Sequence, residues 1–405
     1  MTVATTMRKA HAGRTVFDLD QHIDWVFVLI VATLLCVGLV MLTSASISLA
    51  DRNTGNPLFY FERQLLAVVI GLCGAAFMLW VPTSVWERYA LLLVCLALGM
   101  LIAVLIPGLG NTVNGSTRWL SIGGISIMQV SEPARLLMLM YLSGYAVRHR
   151  AELQERFIGF AKPMSLVGLT CLLLLLEPDF GASVVMLTVS LAVLFIAGAR
   201  LRDFLVSSLS IGSLLVMIAF MSPYRLKRLT GFLDPWSDPF GTGFQLVQSL
   251  IAIGSGQWFG VGLGGSVQKL FYLPEAHTDF VFAVIAEEFG LIGSVLLITV
   301  FVALVWRVLR IAANSAALGR LYQANLSFGV AIWLGVQVFI NIGVNMGILP
   351  TKGLTLPLIS YGRSSMLITL LALGLLLRIE MENRQIASQG VVKGKGKGRR
   401  RVRKR

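Results

Sequence analysis

Five polar residues interrupt the apolar stretch "YLPEAHTDFVFAVIAEEFG" (272–290): Glu275, His277, Asp279, Glu287 and Glu288. Carboxylates beside a lone histidine are the means of general acid–base chemistry, in which a positioned side chain takes a proton from a weak nucleophile. Three further places set ionisable groups against long apolar runs. "NGSTRWLSIGGISIMQVSEPARL" (114–136) carries Arg118, Gln129, Glu132 and Arg135. Glu132 and Arg135, three apart, share one helix face and neutralise one another. They form either a structural ion pair at a helix entrance or the polar wall of a cavity. "LLLLLEPDFGAS" (172–183) sets Glu177 and Asp179 at the tip of a tight helical hairpin, where Asp179 alternatively caps the next helix. "GILPTKGLTLPLISYGRSS" (347–365) has too many prolines and glycines for one continuous helix. Irregular backbone at membrane depth persists only where it is buried in protein or lines a polar cavity. Lys352 is there a lone cation, placed to meet a phosphate.

Other chemistries find no residues. The four histidines (His11, His22, His149, His277) lack zinc-ligand spacing, and Cys36, Cys73, Cys95 and Cys171 sit singly inside apolar runs as packing residues. The glycines of 254–265 are too irregular for a phosphate loop or a dinucleotide fingerprint. Carboxylates and a histidine at a lipid–water boundary, near lone cations, suit an amphiphile whose tail stays in the bilayer and whose polar head lies outside.

The elements that must position these groups follow from composition. The 405 residues are 56% hydrophobic and 13% charged, with a mean hydropathy of +0.79. Soluble domains average about 25% charged. The chain is therefore read as an all-α integral membrane protein. A spanning helix needs about 20 mostly apolar residues, which predicts ten spans: 25–46, 64–81, 88–107, 125–147, 161–177, 182–199, 204–222, 289–306, 322–344 and 364–378. An even number puts both termini on one side. Thirteen Lys and Arg in the short segments of that side face six on the other, so both termini are expected in the cytoplasm.

The domain plan is a cytoplasmic N-terminal segment (1–23), a membrane domain (24–380) and a basic cytoplasmic tail (381–405). The first segment lacks the apolar core of a cleavable leader. Between the seventh and eighth spans, 223–282 is one large outer loop. Its Trp236, Phe240, Leu246 and Trp258 are too apolar for a solvated linker, and 243–253 has the spacing of an amphipathic interfacial helix. The tail, ending "KGKGKGRRRVRKR", has no apolar period and is expected to be disordered. Its natural partner beside a membrane is the anionic leaflet rather than nucleic acid.

"FLDPWSDPFGTGFQLVQSLIAIGSG" (232–256), "YLPEAHTDFVFAVIAEE", "NGSTRWLSIGGISIMQVSEPARL" and "TKGLTLPLISYGRSS" together resemble the SEDS family (shape, elongation, division and sporulation) over about residues 20–380. "EAHTDF" with "PTKGLTLPLISYG" is closer to its cell-division members than to its rod-elongation members. The resemblance implies a ten-helix peptidoglycan glycosyltransferase that polymerises lipid II at the division septum of the inner membrane. It implies as partners a class B penicillin-binding protein transpeptidase, other division proteins, and undecaprenyl-diphosphate-linked glycan. Asp279 falls on the family's essential aspartate. Glu132 and Arg135 fall on its S-E-x-x-K pair, and Arg in place of Lys keeps the charge but cannot transfer a proton. Arg363 stands where members commonly have a second glycine in "SYGGSS".

The implied reaction is attack by the 4-hydroxyl of a GlcNAc on C1 of a MurNAc-linked diphosphate, with inversion. Asp279 is the expected base. Gln129, Glu132, Glu177, His277 and Thr278 are expected to bind or orient substrate. Arg63, Arg118, Arg135 and Lys352 are candidates for the leaving diphosphate, alone or with Mg²⁺ or Mn²⁺ held by Asp279 or Glu132. Alternatives are an elongation-type polymerase and a lipid II flippase. A flippase should carry charges through the bundle's depth, whereas here they gather at the outer side.

Overall fold

The computed structural model describes residues 23–113, 116–122, 125–220, 231–351 and 353–402. The N-terminal segment before Ile23, part of the outer loop (221–230) and the candidate Lys352 lie outside the described residues. Each of the ten expected spans falls on a helix. The first half contains α1 (Trp25–Thr54), α2 (Phe59–Trp80), the short α3 (Thr83–Arg88) and α4 (Ala90–Val104). Next come α5 (Ser131–Arg148), the short α6 (Arg150–Glu155), α7 (Phe157–Leu176), α8 (Phe180–Ile196) and α9 (Leu201–Phe220). The second half contains α10 (Phe244–Ser255), α11 (Val281–Ala317), α12 (Leu321–Asn345) and α13 (Arg363–Val402). Among the described residues six helices (α1, α2, α7, α11, α12 and α13) are long and apolar enough to cross a membrane. The chain is a mostly helical, multi-pass membrane protein.

The structure differs from the sequence reading in two places. Residues 125–129, expected to open the fourth span, are a strand. β1 (Gly110–Val113), β2 (Ser116–Ile122) and β3 (Ile125–Gln129) form an antiparallel sheet in that order, with Trp119 opposite Gln129. "STRWLSI" and "ISIMQ" are short runs rich in Thr, Trp and Ile on either side of Gly123-Gly124, the composition and turn chemistry of a β-hairpin rather than of a continuous span. Second, residues 281–289 add a helical stretch before the expected eighth span and are joined to it through a break at Gly290, with Glu287 and Glu288 both buried with partners inside the protein. The last helix, α13, is assigned from Arg363 to Val402.

The expected amphipathic helix is present as α10, with Leu246, Val247, Ser249 and Ala252 buried. At the centre of the bundle, α5 and α12 are buried along most of their length and carry Trp333, Tyr322 and Arg135 with almost no exposure. The closest helix contact joins α2 to α13 through small residues, which let backbones approach without a side chain between them. A Cβ on Gly374 would lie 2.6 Å from the Ala75 Cα, and one on Gly71 would lie 2.6 Å from Leu370 Cδ1.

One end of the bundle, called basal here, is tied by charges. Asp24 caps α1 by accepting from the Phe27 N–H, and it pairs with Arg307 of α11 and Arg384 of α13. Glu382 joins Arg320, Arg378 and the Thr83 hydroxyl. Trp25, Trp80 and Trp306 are exposed at this end, as interfacial tryptophans are.

The α2–α13 contact makes a direct prediction. Gly374→Leu inserts a side chain against backbone that cannot yield, and overpacking of this kind typically costs about 1–3 kcal/mol. The thermal midpoint of the detergent-solubilised variant should fall clearly, while Leu371→Val on the same helix changes it little. Equal midpoints for Gly374→Leu and the parent would refute the contact.

Candidate active site

The irregular segment between α12 and α13 is held by buried side-chain amides. Gln64 of α2 donates to the Ser360 carbonyl at 3.2 Å and accepts from the Gly362 N–H at 3.3 Å. On α12, Gln337 donates to the Thr355 carbonyl at 2.9 Å, and Asn341 donates to the Leu354 carbonyl at 2.7 Å. The segment's own Ser360 hydroxyl accepts from the Leu356 N–H at 2.9 Å. Gln64, Gln337 and Asn341 are each at most 2% exposed, so these bonds stand in for water around backbone that forms no helix. α1 also touches the segment, since a Cβ on Gly38 would collide with the Leu358 carbonyl.

Asp279 lies against this segment. Its main-chain carbonyl accepts from Asn341 Nδ2 at 2.9 Å and from Asn345 Nδ2 at 3.0 Å. A Cβ on Gly353 would be 3.0 Å from Asp279 Oδ2, which places the half-buried carboxylate over that glycine. The N-cap of α11 is Phe280, and Asn345 Oδ1 accepts the Ala283 N–H at 3.1 Å.

The neighbours of Asp279 have structural partners. Thr278 donates to Glu275 Oε2 at 2.6 Å, closing a small turn. His277 is buried, with ring centroids of Tyr60 and Tyr361 4.7 and 5.7 Å away, and its carbonyl accepts from the Tyr361 N–H at 2.9 Å. Burial pushes the His277 imidazole below its ordinary 6.5, and Glu275 opposes the shift. Arg63 belongs to the exposed rim of the same aromatic group, its guanidinium 4.0 Å above the Phe59 ring. Glu287 and Glu288 serve the fold. Glu287 accepts from the Val267 N–H at 2.9 Å and from the Ser266 hydroxyl. Glu288 pairs with the buried Lys269 at 2.7 Å, and Ser44 of α1 donates to the same oxygen at 2.6 Å.

A second polar group gathers where the sheet meets α5 and the α7–α8 hairpin. Arg135 is 1% exposed; it reaches Glu132 at 3.4 Å and Gln337 Oε1 at 3.1 Å, and its guanidinium lies 5.2 Å from the Trp333 ring. Gln337 in turn holds the Thr355 carbonyl, so the Glu132–Arg135 pair is coupled to the irregular segment. Arg118 of β2 donates to the main-chain carbonyls of Glu177 and Pro178. Gln129 donates from its side chain to Asp179 Oδ2 at 3.4 Å and from its N–H to Ser364 Oγ at 2.9 Å. Asp179 also caps α8, accepting from the Ala182 N–H at 3.1 Å. Glu177, just past the last residue of α7, is fully buried with both carboxylate oxygens unpartnered. Desolvation, reinforced by Asp179 and opposed by Arg118, pushes its carboxyl up to about 8.

Segment 353–365 therefore links the two groups, with Asp279 and His277 contacting it from the outer loop and Gln129, Glu132 and Arg135 joined to it from the sheet and α5. The sequence reading missed Gln64, Gln337, Asn341, Asn345 and Lys269. The amides did leave a signal: Gln337, Asn341 and Asn345 recur every four residues in an apolar span and so share one face of α12. Among the described residues no three His, Cys, Asp or Glu side chains converge as a metal cage. Glu132 is already engaged by Arg135.

The His277 shift predicts a pH dependence. A folded value below 6.5 means that the unfolded chain takes up the proton first. Stability is then full above pH 6.5 and declines as pH falls, by at most about 1.4 kcal/mol per pH unit, until folded His277 also protonates. His277→Phe, which preserves the ring packing, should flatten thermal midpoints between pH 7.5 and 5.5. An unchanged slope would assign the acid sensitivity elsewhere.

Comparison with known proteins agrees with this architecture. Residues 24–385 match the model of a family described as "Cell cycle protein" that covers FtsW, RodA and SpoVE. A probable peptidoglycan glycosyltransferase FtsW of Thioalkalivibrio sulfidiphilus is 54% identical over 364 residues, 90% of this chain and 91% of that protein. The Coxiella burnetii protein of the same description is 52% identical over 358 residues, 88% and 96% of the two chains. Among solved structures, a chain from a peptidoglycan synthase complex that coordinates polymerization and crosslinking superposes with a TM-score of 0.73 at 32% identity, covering 90% of this chain and 99% of that one. The rod shape determining protein RodA of Thermus thermophilus gives 0.65 at 30% identity, covering 88% and 96%. A match across nearly the whole membrane region, with relatives above 50% identity, establishes that this chain belongs to the SEDS family of cell cycle proteins.

Proposed function

We propose that this chain is a peptidoglycan glycosyltransferase of the division type, which polymerises lipid II at the outer face of the inner membrane with Asp279 as general base. The observation that carries the reading is the double amide clamp on the Asp279 carbonyl beside the Gly353 backbone. A base is effective only when held at a fixed place, and this one is fixed from α12 rather than by a mobile loop.

In the proposed step the acceptor's GlcNAc 4-hydroxyl gives its proton to the Asp279 carboxylate as the oxygen attacks C1 of the donor's MurNAc. The C1–O bond to the diphosphate breaks, its electron pair leaves with undecaprenyl diphosphate, and a β-1,4 linkage forms. A positioned base is worth typically 10²–10⁴ in rate. Arg118 and the exposed Arg63 are the leaving-group cations among the described residues, and Lys352 is a third proposed contact. The two terminal nitrogens of the buried Arg135 are bonded to Glu132 and Gln337, so its proposed role is to hold the wall that Gln129 and Glu132 present to substrate. Protonated Glu177 offers that wall a neutral hydrogen-bond donor. His277 and Thr278 orient the segment that carries Asp279. If Mg²⁺ or Mn²⁺ takes part, Asp279 or Glu132 would hold it, and it would supply charge neutralisation for the leaving diphosphate.

The proposed setting is a multi-pass protein of the inner membrane at the septum, both termini cytoplasmic, working with a class B penicillin-binding protein. The peptidoglycan synthase complex that resembles this chain supports such a pairing. The deciding experiment is lipid II polymerisation in liposomes, with the cognate transpeptidase, by the parent and Asp279→Asn. The parent should give glycan ladders, and a folded, partner-binding variant at least about 100-fold less product. Equal ladders would remove Asp279 as the base. No ladders from the parent, with lipid II translocation in the same vesicles, would replace the reading by a flippase. Loss of ladders on chelation, restored by Mg²⁺ or Mn²⁺, would assign the metal.

A further inference from the structure

Residues 239–268, within the outer loop, contain no ionisable side chain. Within them, Trp258 (65% exposed) and Phe259 (81%) are turned outward, and Val261 and Leu263 are exposed beside them. The backbone of this stretch is committed to α11. At Gly290 the helix leaves helical geometry (φ 65°, ψ −162°), which breaks the rungs Leu291→Glu287 and Ile292→Glu288. The loop replaces both. Val261 and Gly262 donate to the Glu287 and Glu288 carbonyls at 3.0 Å each, and Leu291 and Ile292 donate to the Gln257 and Trp258 carbonyls at 2.8 and 3.2 Å. Gly260, with φ of +79°, lies where any Cβ would collide with the Glu288 carbonyl. These bonds account for glycines that fit no phosphate-binding pattern.

The height of this junction follows from α11. Trp306 is exposed at the basal end, with the Arg310 guanidinium 5.3 Å from its ring, and marks that membrane boundary. Ile292 stands fourteen residues above it, about 21 Å of helix. The hydrocarbon layer is about 30 Å thick, so the loop joins α11 inside the apolar slab. Leu291, Ile292 and Leu296 of α11 are exposed there as a lipid-facing flank. Irregular backbone survives in lipid only if its polar groups are paired, and the exchange across Gly290 pairs them.

We propose that residues 257–263 are a lipid-embedded edge of the outer loop, immersed among the acyl chains of the outer leaflet against α11. The committed occupant is phospholipid, because the uncharged surface is continuous with the lipid-facing flank of a spanning helix. Embedding also sets the loop's height. Immediately after this edge, Ser266 and Lys269 are fastened to Glu287 and Glu288, and the chain then rises to Asp279.

The test reads depth rather than activity, so it stands apart from the glycosyltransferase assignment. In a background with Cys36, Cys73, Cys95 and Cys171 replaced by Ser, Phe259→Cys is labelled with the fluorophore NBD. The full chain is reconstituted in phosphatidylethanolamine–phosphatidylglycerol vesicles. Leu263→Cys is a second site in case the first label disturbs folding, and Asn56→Cys, in the exposed turn between α1 and α2, is the aqueous control. The expected result is quenching of the 259 and 263 labels by a phospholipid nitroxide at acyl carbon 5 several-fold stronger than at Asn56, with iodide several-fold weaker. Iodide quenching equal to that at Asn56 would overturn the proposal. Protection from both quenchers together with cross-linking between labelled copies would also overturn it, by seating a second copy of the chain on this edge.

Discussion

The fold around the candidate site depends on one constraint: non-helical backbone is held deep in a protein whose surroundings are lipid. Carbonyls and N–H groups of residues 354–360, nearly all of them buried, have no helix ladder to bond. Three amide side chains at most 2% exposed, Gln64, Gln337 and Asn341, supply the partners. An amide suits this position because it both donates and accepts while carrying no net charge. Gln64 uses both ends, bonding Ser360 and Gly362. The glycines and prolines that prevent a helix here are tolerated because α2 and α12 meet the backbone they expose.

The same logic separates the buried charges. Lys269–Glu288 lies under the outer loop with Ser44 bonded to both partners, and Glu132–Arg135 lies in the bundle with Gln337 and Trp333 around the guanidinium. Buried pairs contribute little net stability, but removing one partner strands a charge and is costly. These pairs therefore act chiefly as geometric constraints, one locating the outer loop on α11 and the other locating α5 on α12. Glu177 has no such partner for its carboxylate, and burial pushes its carboxyl up to about 8.

Much of this was legible in the sequence because membrane insertion imposes a strong code. Apolar length located ten helices, and the cost of ionisable groups near lipid drew attention to Glu132, Arg135, Glu177 and Asp279. The limits were equally physical. Hydropathy does not report turn chemistry, so "ISIMQ", which follows Gly123-Gly124, was absorbed into the expected fourth span. Hydropathy also treats Glu287 and Glu288 as breaks in a helix, whereas α11 runs through them because their partners, Ser266 and Lys269, return from about twenty residues upstream. Amides in apolar spans carry no charge to attract notice, and only the spacing of Gln337, Asn341 and Asn345 reveals that they share a face.

That shared face bears on how the two halves of the site stay in register. Asn341 bonds both the Asp279 carbonyl and the Leu354 carbonyl, four residues from Gln337, which bonds Thr355 and Arg135. The proposed base, the irregular segment and the Glu132–Arg135 wall are thus all referred to a single stretch of α12. A rigid helix transmits a displacement to everything fastened along it, so a shift of α12 would move these groups together rather than pull them apart. α11, whose first residues follow Asp279, packs along α12, and Asn345 bonds across that contact to both Asp279 and Ala283. Catalytic geometry in this chain is therefore a property of the α11–α12 pair, and the long outer loop leading to Asp279 has only to arrive at a position that the two helices have already fixed.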